Sequence, residues 1–237
     1  MSDKSTAYRK KHSCEVALLD LIEDWKLALD NHYIVGILST DMSKAFDSLY
    51  HSLIQAKLKA YGIGRSSLTL IDSYFANRYY RVRLGPVTSD WEPATRGCPQ
   101  GSAFGPLLWN ILQNDLTSCV YSNLNMCADD HQFYSADSTA TNVHNSLLAN
   151  AESASAWYQA NFLKGNLDKY QTMSLGTKQN LDNNLNIDNY EVKSVNYLKL
   201  LGVTIDNNLG LKNILTIYEK KVYWSINEAE KHVTYGY

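Results

Sequence analysis

The sequence has little cysteine, little proline and little charge. Its four cysteines, Cys14, Cys98, Cys119 and Cys127, show neither a CxxC pair nor Cys/His ligand spacing. That excludes a zinc finger, a zinc ribbon and a disulfide-stapled secreted domain. No apolar run is long enough to cross a bilayer and no signal-peptide pattern stands at the start, so no membrane partner and an intracellular setting, nucleus or cytoplasm, are expected. Charged residues make up 19% of the 237, with a net charge of −2. The overall basic balance of a nucleic-acid binder is therefore missing, and phosphate binding would have to come from local clusters. There is no internal repeat, low-complexity tract or evident linker. With 45% hydrophobic residues the chain can bury a core, as one large or two small domains, which excludes wholesale disorder.

Acidic residues are what the sequence places with most purpose. In NMCADDHQFYS, residues 125 to 135, two adjacent aspartates interrupt what otherwise reads as two short strands. Aspartate is poor in strands and good in tight turns, so Asp129 and Asp130 are expected on a hairpin turn. Their charges repel by about 1 to 4 kcal/mol, depending on the local dielectric, and a divalent cation would reverse that. With sixteen aspartates in the chain, however, chance alone supplies about one such pair. A hard cation also needs further oxygen ligands. The β-branched run IVGILST, residues 34 to 40, delivers one candidate, Asp41, at its carboxyl end. Asp41 reads equally well as a turn or helix cap.

Between these elements, residues 95 to 116 form a glycine- and proline-punctuated loop followed by Leu107, Leu108, Ile111, Leu112 and Leu116 at helical spacing. Such a loop allows close backbone approach to a ligand, and helix-start amides favour an anion. An ordinary loop before a core helix has the same pattern. From Lys57 to Arg96 seven basic residues face three acidic ones, and Arg78, Arg81 and Arg83 flank Tyr79 and Tyr80. That cluster could track a phosphate backbone and stack on bases. Alternation in Arg81-Val82-Arg83 puts both arginines on one face of a strand, which could also be a solvated face.

Read in order, DMSKAFD, RGCPQGSAFGPLLWNILQNDL, CADD, NLDKYQTMSLG and YLKLLGVTID resemble the palm of the reverse transcriptases of non-LTR (LINE-type) retrotransposons. The stretch AYRKKHSCEVALLDLIEDWKLALDNHYIVGILSTD resembles that family's approach to its first catalytic aspartate, so the likeness covers nearly the whole chain. The resemblance implies an RNA-directed DNA polymerase that extends a DNA primer on an RNA template with deoxynucleoside triphosphates. It implies that Asp41, Asp129 and Asp130 hold two Mg²⁺ ions, with Mn²⁺ as a substitute, for in-line phosphoryl transfer. It implies a place for Phe46 under the nucleotide sugar and for Gln100 and Gly101 near nucleotide and template. Lys169 corresponds to a lysine beside the leaving pyrophosphate, although the usual Lys-Thr is Lys-Tyr here. Cys127 stands where an aromatic ring meets the primer, and Gly202 lies in YLKLLGVTID, residues 197 to 206, which resembles the hairpin that grips the primer backbone; as an ordinary strand, it would have Gly202 at a bulge.

The departures point to an alternative: a catalytically dead remnant that keeps the fold and at most binds nucleic acid or a partner weakly. Cys127 replaces Phe or Tyr, Cys98 replaces Val, Ala103-Phe104 replaces Val-Leu, Trp109 replaces a smaller Phe, and Gln113 sits at an apolar position. Uncompensated volume changes of this kind cost about 1 to 3 kcal/mol each.

The expected architecture is an α+β polymerase palm, an antiparallel sheet with helices over one face. Helices are expected near 14 to 30, 49 to 61, 66 to 76, 106 to 118 and 139 to 162. Strands are expected at 34 to 40, around the aspartate pair, and near 170 to 175 and 197 to 205, with a short hairpin at 81 to 89. Residues 176 to 193 read as a loop or irregular hairpin. The domain assignment is partial fingers with a lead-in helix over 1 to 33, palm over 34 to 206, and the start of a thumb over 207 to 237.

Overall fold

A computed structural model of the chain describes residues 4–8, 12–99, 101–176 and 184–209. Helix α1 (Cys14–Asp30) starts where Ser13 accepts a hydrogen bond from Val16 N, and its Leu18, Leu21, Ile22 and Trp25 form a buried stripe. Strand β1 (Ile34–Thr40) follows, then α2 (His51–Ala60) and α3 (Arg65–Phe75). Four two-residue strands come next: β2 (Tyr79–Tyr80), β3 (Arg83–Leu84), β4 (Val87–Thr88) and β5 (Glu92–Pro93). Helix α4 (Phe104–Gln113), with Pro106 in its first turn, runs into a 3-10 segment at Asn114–Ser118. Strands β6 (Asn123–Cys127) and β7 (Asp130–Asp137) form the aspartate hairpin, and α5 (Ala140–Ala160) returns along the sheet. After it come β8 (Gln171–Leu175), the β9 (Leu185–Ile187) and β10 (Tyr190–Val192) hairpin, and the β11 (Tyr197–Leu200) and β12 (Val203–Asp206) hairpin.

The central sheet has the order β6-β7-β1-β8, antiparallel throughout. Its register pairs Thr40 with His131 and Cys127 with Asp130, so the end of β1 and the aspartate hairpin come to the same end of the sheet. Strand β1 has no polar side chain from Ile34 to Leu38, and both of its faces are buried. Leu38 joins a core built from α2, α4 and α5, whereas Val35 and Ile37 pack with α1, Met173 and the β11–β12 hairpin. Helices therefore cover both faces, and the expectation of one covered face is corrected. Packing on the α5 side is close at Gly36, where a Cβ would run into Val143 and lie 2.7 Å from Leu147 Cδ1. That approach explains a glycine in the middle of a buried strand.

Two local expectations also change. Asp129 lies on the hairpin turn, but Asp130 already belongs to β7, opposite Cys127. The segment 197 to 206 is a two-stranded hairpin, as its resemblance implied, and Gly202 (φ +83°) is in its turn beside Leu201 (φ +49°), not in the bulge of an ordinary strand. The strand expected through Arg81-Val82-Arg83 is broken, because Val82 instead pairs with Ser89 across a gap between β2 and β3. The Asn-rich stretch closes in part as the β9–β10 hairpin, with Asp188 and Asn189 both at positive φ, as a tight hairpin turn demands. Of the expected thumb start, residues 210 to 237 lie outside the described residues. Among the described residues no helix is long and apolar enough to cross a membrane.

Candidate active site

Asp41 follows the last residue of β1, and the chain after it is held by the segment that precedes β8. Asn166 N donates to Asp41 O at 2.8 Å and Ser43 N to Lys164 O at 2.9 Å. The same segment curls into a 3-10 turn, Leu167–Lys169, that brings Lys169 back over the aspartate. Lys169 Nζ lies 3.2 Å from Asp41 Oδ2, and Asn166 Nδ2 donates to that oxygen at 3.3 Å.

The aspartate hairpin is fixed from beneath. Ala128 sits at φ +57°, a conformation costly for an L residue. Its carbonyl accepts a 2.9 Å hydrogen bond from the indole N–H of Trp109, which is fully buried on α4. Beside the pair, His131 is also fully buried. Its Nε2 lies 3.0 Å from Gln113 Oε1 and its Nδ1 3.0 Å from the Tyr158 hydroxyl, which is 3.2 Å from Thr40 Oγ1. This polar chain joins α4, β7, α5 and β1 immediately under Asp41 and Asp130. Burial pushes the His131 imidazole down to about 3, so it stays neutral. Gln113 and Trp109, which the sequence marked as departures, are thus compensated: each has a partner for its polar group.

Electrostatics tie the acidic residues together. Burial, followed by the charges of Asp129 and Asp41, pushes the Asp130 carboxyl up to about 6, and Lys169 pulls in the opposite direction. Three carboxylates against one ammonium leave excess negative charge, and all their donors are hard oxygens, which is the chemistry a divalent cation such as Mg²⁺ takes. The residue types fit the cation. They are not drawn into a ready-made ligand cluster, however: among the described residues no three His, Cys, Asp or Glu side chains converge as one. Lys169 and Asn166 occupy the Asp41 oxygen, and carboxylates without a cation between them repel.

Phe46 lies in the turn after Asp41, its ring 5.4 Å from that of Trp109 and edge-on to Tyr8 at 6.4 Å. Its carbonyl accepts from Cys98 N at 3.1 Å, which docks the glycine-rich loop against this turn. Gly97 makes that docking possible: at φ +78°, a Cβ there would stand 2.9 Å from the backbone of Asp47. Gly101 has φ +77° and open space around it, and Gln100 lies outside the described residues.

The basic candidates separate. Arg78 lines a cavity of about 710 Å³ together with Lys44, His51, Tyr79, Tyr80 and Arg96. Arg81 instead stacks over Trp91 at 4.5 Å, and Arg83 Nε donates to Gly85 O at 3.1 Å. These two arginines are not brought together with the aspartates. Cys127, buried at the end of β6, has its Sγ 2.9 Å from that of Cys14, and burial followed by this contact pushes its thiol up to about 12.

Sequence reasoning missed Trp109 as a support of the turn, His131 as its buried partner, and Tyr8. The Tyr8 hydroxyl is raised by burial and by Asp129, Cys127 and Cys14, so this residue of the N-terminal segment belongs to the site. A histidine directly after two aspartates was a usable signal. Tyr8, more than a hundred positions from the pair, gave none.

Comparison with known proteins agrees with this geometry. The profile of the family described as Reverse transcriptase (RNA-dependent DNA polymerase) matches residues 1–205. The "Probable RNA-directed DNA polymerase from transposon X-element" of Drosophila melanogaster is 25% identical over 236 residues, spanning 94% of this chain and 26% of the relative. The "Retrovirus-related Pol polyprotein from type-1 retrotransposable element R1" of Bradysia coprophila is 38% identical over 86 residues, 35% of this chain and 8% of the relative. The chain thus spans about a quarter or less of these relatives' length. Apo telomerase of Candida Tropicalis, truncated from its C-terminal domain, superposes with a TM-score of 0.60 at 14% identity, over 87% of this chain and 40% of that one. That likeness concerns the fold, a polymerase palm.

Proposed function

The chain belongs to the reverse transcriptase family, and from that premise we propose that it is the palm-bearing part of a retrotransposon RNA-directed DNA polymerase, adding deoxynucleotides to a DNA primer on an RNA template. Residues 34 to 206 are assigned to the palm, 1 to 33 to lead-in and partial fingers, and 207 to 237 to the start of a thumb. The observation that carries this reading is the register of the central sheet, which sets Thr40 opposite His131 and so brings Asp41, with Lys169 3.2 Å from it, to the end of the sheet that carries Asp129 and Asp130.

Asp41, Asp129 and Asp130 would hold divalent cations, Mg²⁺ or Mn²⁺. When bound, such ions neutralise charge on the phosphoryl group and lower the barrier to in-line displacement. The chain's own residues do the positioning. Phe46 would bound the sugar subsite, with Gln100 and Gly101 on its other side. Lys169, released from Asp41, would place its ammonium by the departing pyrophosphate. Arg78, with Lys44 and Arg96 around the adjoining cavity, suits a nucleic-acid backbone. Arg81, Arg83, Cys127 and Gly202 would contact template or primer.

Primer extension on an RNA template with Mg²⁺ or Mn²⁺ tests the reading. Extension by the natural chain that disappears in Asp129→Asn supports it. A second reading, a folded but inactive remnant, is favoured by Cys127 at the primer-facing position. A folded chain that stays silent with either ion, and gains activity from Cys127→Tyr, would place the lesion there.

A further inference from the structure

Cys14 and Cys127 are 113 positions apart, yet their sulfurs are 2.9 Å apart. A disulfide bond is about 2.04 Å long, so less than about 1 Å of movement separates these thiols from a covalent link. The contact is placed by structure on both sides. Cys14 is the first residue of α1, set by the Ser13 cap. Cys127 ends β6, and the neighbouring segment is pinned by Met126 N donating to Lys4 O at 2.8 Å and Thr6 N donating to Met126 O at 2.9 Å. One thiol is exposed and the other buried. An oxidant therefore has access to Cys14, and only Cys14 is positioned to pass the oxidation on to Cys127.

We propose that Cys14 and Cys127 are a reversible oxidation site, a dithiol that closes to a disulfide and ties the start of α1 to the aspartate hairpin. With hydrogen peroxide as oxidant, the Cys14 sulfur attacks one peroxide oxygen. The O–O bond breaks, and water leaves with the thiol proton, giving a sulfenic acid. The Cys127 sulfur then attacks the Cys14 sulfur, the S–O bond breaks, and the hydroxide departs with the Cys127 proton as a second water. The two thiols give up two electrons and the peroxide takes them. Because Cys127 is paired with Asp130 across the hairpin, the link anchors the strand end that carries the acidic pair. Cys98 and Cys119 have no such neighbour: the Cys98 thiol contacts Phe46 O, and that of Cys119 contacts Asp115 O.

The inference goes beyond the polymerase reading and does not depend on it, since its readout is covalent. The folded chain is treated with peroxide, remaining thiols are alkylated, and the digest is mapped without reduction. The expected result is a Cys14–Cys127 linked peptide lighter by two hydrogens than its two parts. It should vanish on addition of dithiothreitol and in Cys14→Ser, while Cys98 and Cys119 remain alkylated. Cys14→Ser sits on the surface, and its unchanged thermal midpoint would show that the loss is not one of folding. A Cys14 that stops at sulfenic or sulfinic acid with Cys127 still alkylated would overturn the proposal. So would a link from Cys14 to another cysteine, or one that forms only in denaturant.

Discussion

The Lys169 ammonium lies 3.2 Å from Asp41 Oδ2, so a lysine from the segment before β8 neutralises the carboxylate that ends β1. The lysine side chain is 63% exposed, which makes this a pair worth about 1 kcal/mol or less. A divalent cation must displace it. Lys169→Met should therefore leave the thermal midpoint nearly unchanged and tighten Mn²⁺ binding, by up to about fivefold. Titration followed by electron paramagnetic resonance measures it; weaker Mn²⁺ binding in the variant would show that the lysine supports the cation instead of competing with it.

Trp109 holds the turn by one hydrogen bond to Ala128 O. Trp109→Phe keeps most of the apolar volume and removes the donor. It should cost about 0.5 to 1.5 kcal/mol for the bond, with more if the smaller ring leaves a void. Urea denaturation gives the magnitude. Faster amide exchange confined to the turn around Asp129 would locate the effect.

Much of the fold was legible because its elements carry strong local signals. The β-branched run of β1 and the helical spacing of Leu107, Leu108, Ile111 and Leu112 in α4 mark their elements in sequence. What failed were readings that depend on partners far along the chain. Nothing near β1 says that α1 returns over its second face, and nothing near Arg81 says that Trp91 will take its guanidinium. The site divides in the same way. Asp41, Asp129, Asp130 and Lys169 stand out in sequence as candidates because their types and order are specific, whereas the Gln113–His131–Tyr158–Thr40 chain exists only after four elements have packed. Gln113, read by itself as a mismatch in an apolar helix, is in fact one end of that chain.

His131→Leu tests the chain directly. Leucine approximates the volume, but Gln113 Oε1 and the Tyr158 hydroxyl lose a partner in a fully buried setting. A loss of about 1 to 3 kcal/mol in stability is expected, and Gln113→Leu in the same background should recover part of it. Purely additive effects of the two substitutions would deny the coupling.

Asp137 gives the acid dependence. Its carboxylate accepts from Thr139 N at 2.9 Å and from Asn142 Nδ2 at 3.0 Å at the start of α5, and these bonds hold it below the ordinary carboxylate range. A group with a lower pKa when folded stabilises above its unfolded value, about 3.9, and that contribution fades as pH falls through the folded one. Asp137→Asn should therefore flatten the stability profile below about pH 4. An unchanged acid limb would exclude this residue as a contributor.

Ala128 precedes Asp129 on the turn and holds φ +57° without being glycine. The left-handed conformation costs an L residue about 1 to 2 kcal/mol, and glycine returns about 0.5 to 1 kcal/mol of that as lost chain entropy. Ala128→Gly should thus stabilise the chain by about 0.5 kcal/mol. The alanine is then a strained choice at the point where the acidic pair is aimed, and the strain is held in place by Trp109 on its carbonyl. If aiming is its use, glycine should raise the denaturation midpoint while weakening Mn²⁺ binding, because Asp129 gains freedom. A variant both more stable and equally tight for Mn²⁺ would mean that the strain does nothing for the site.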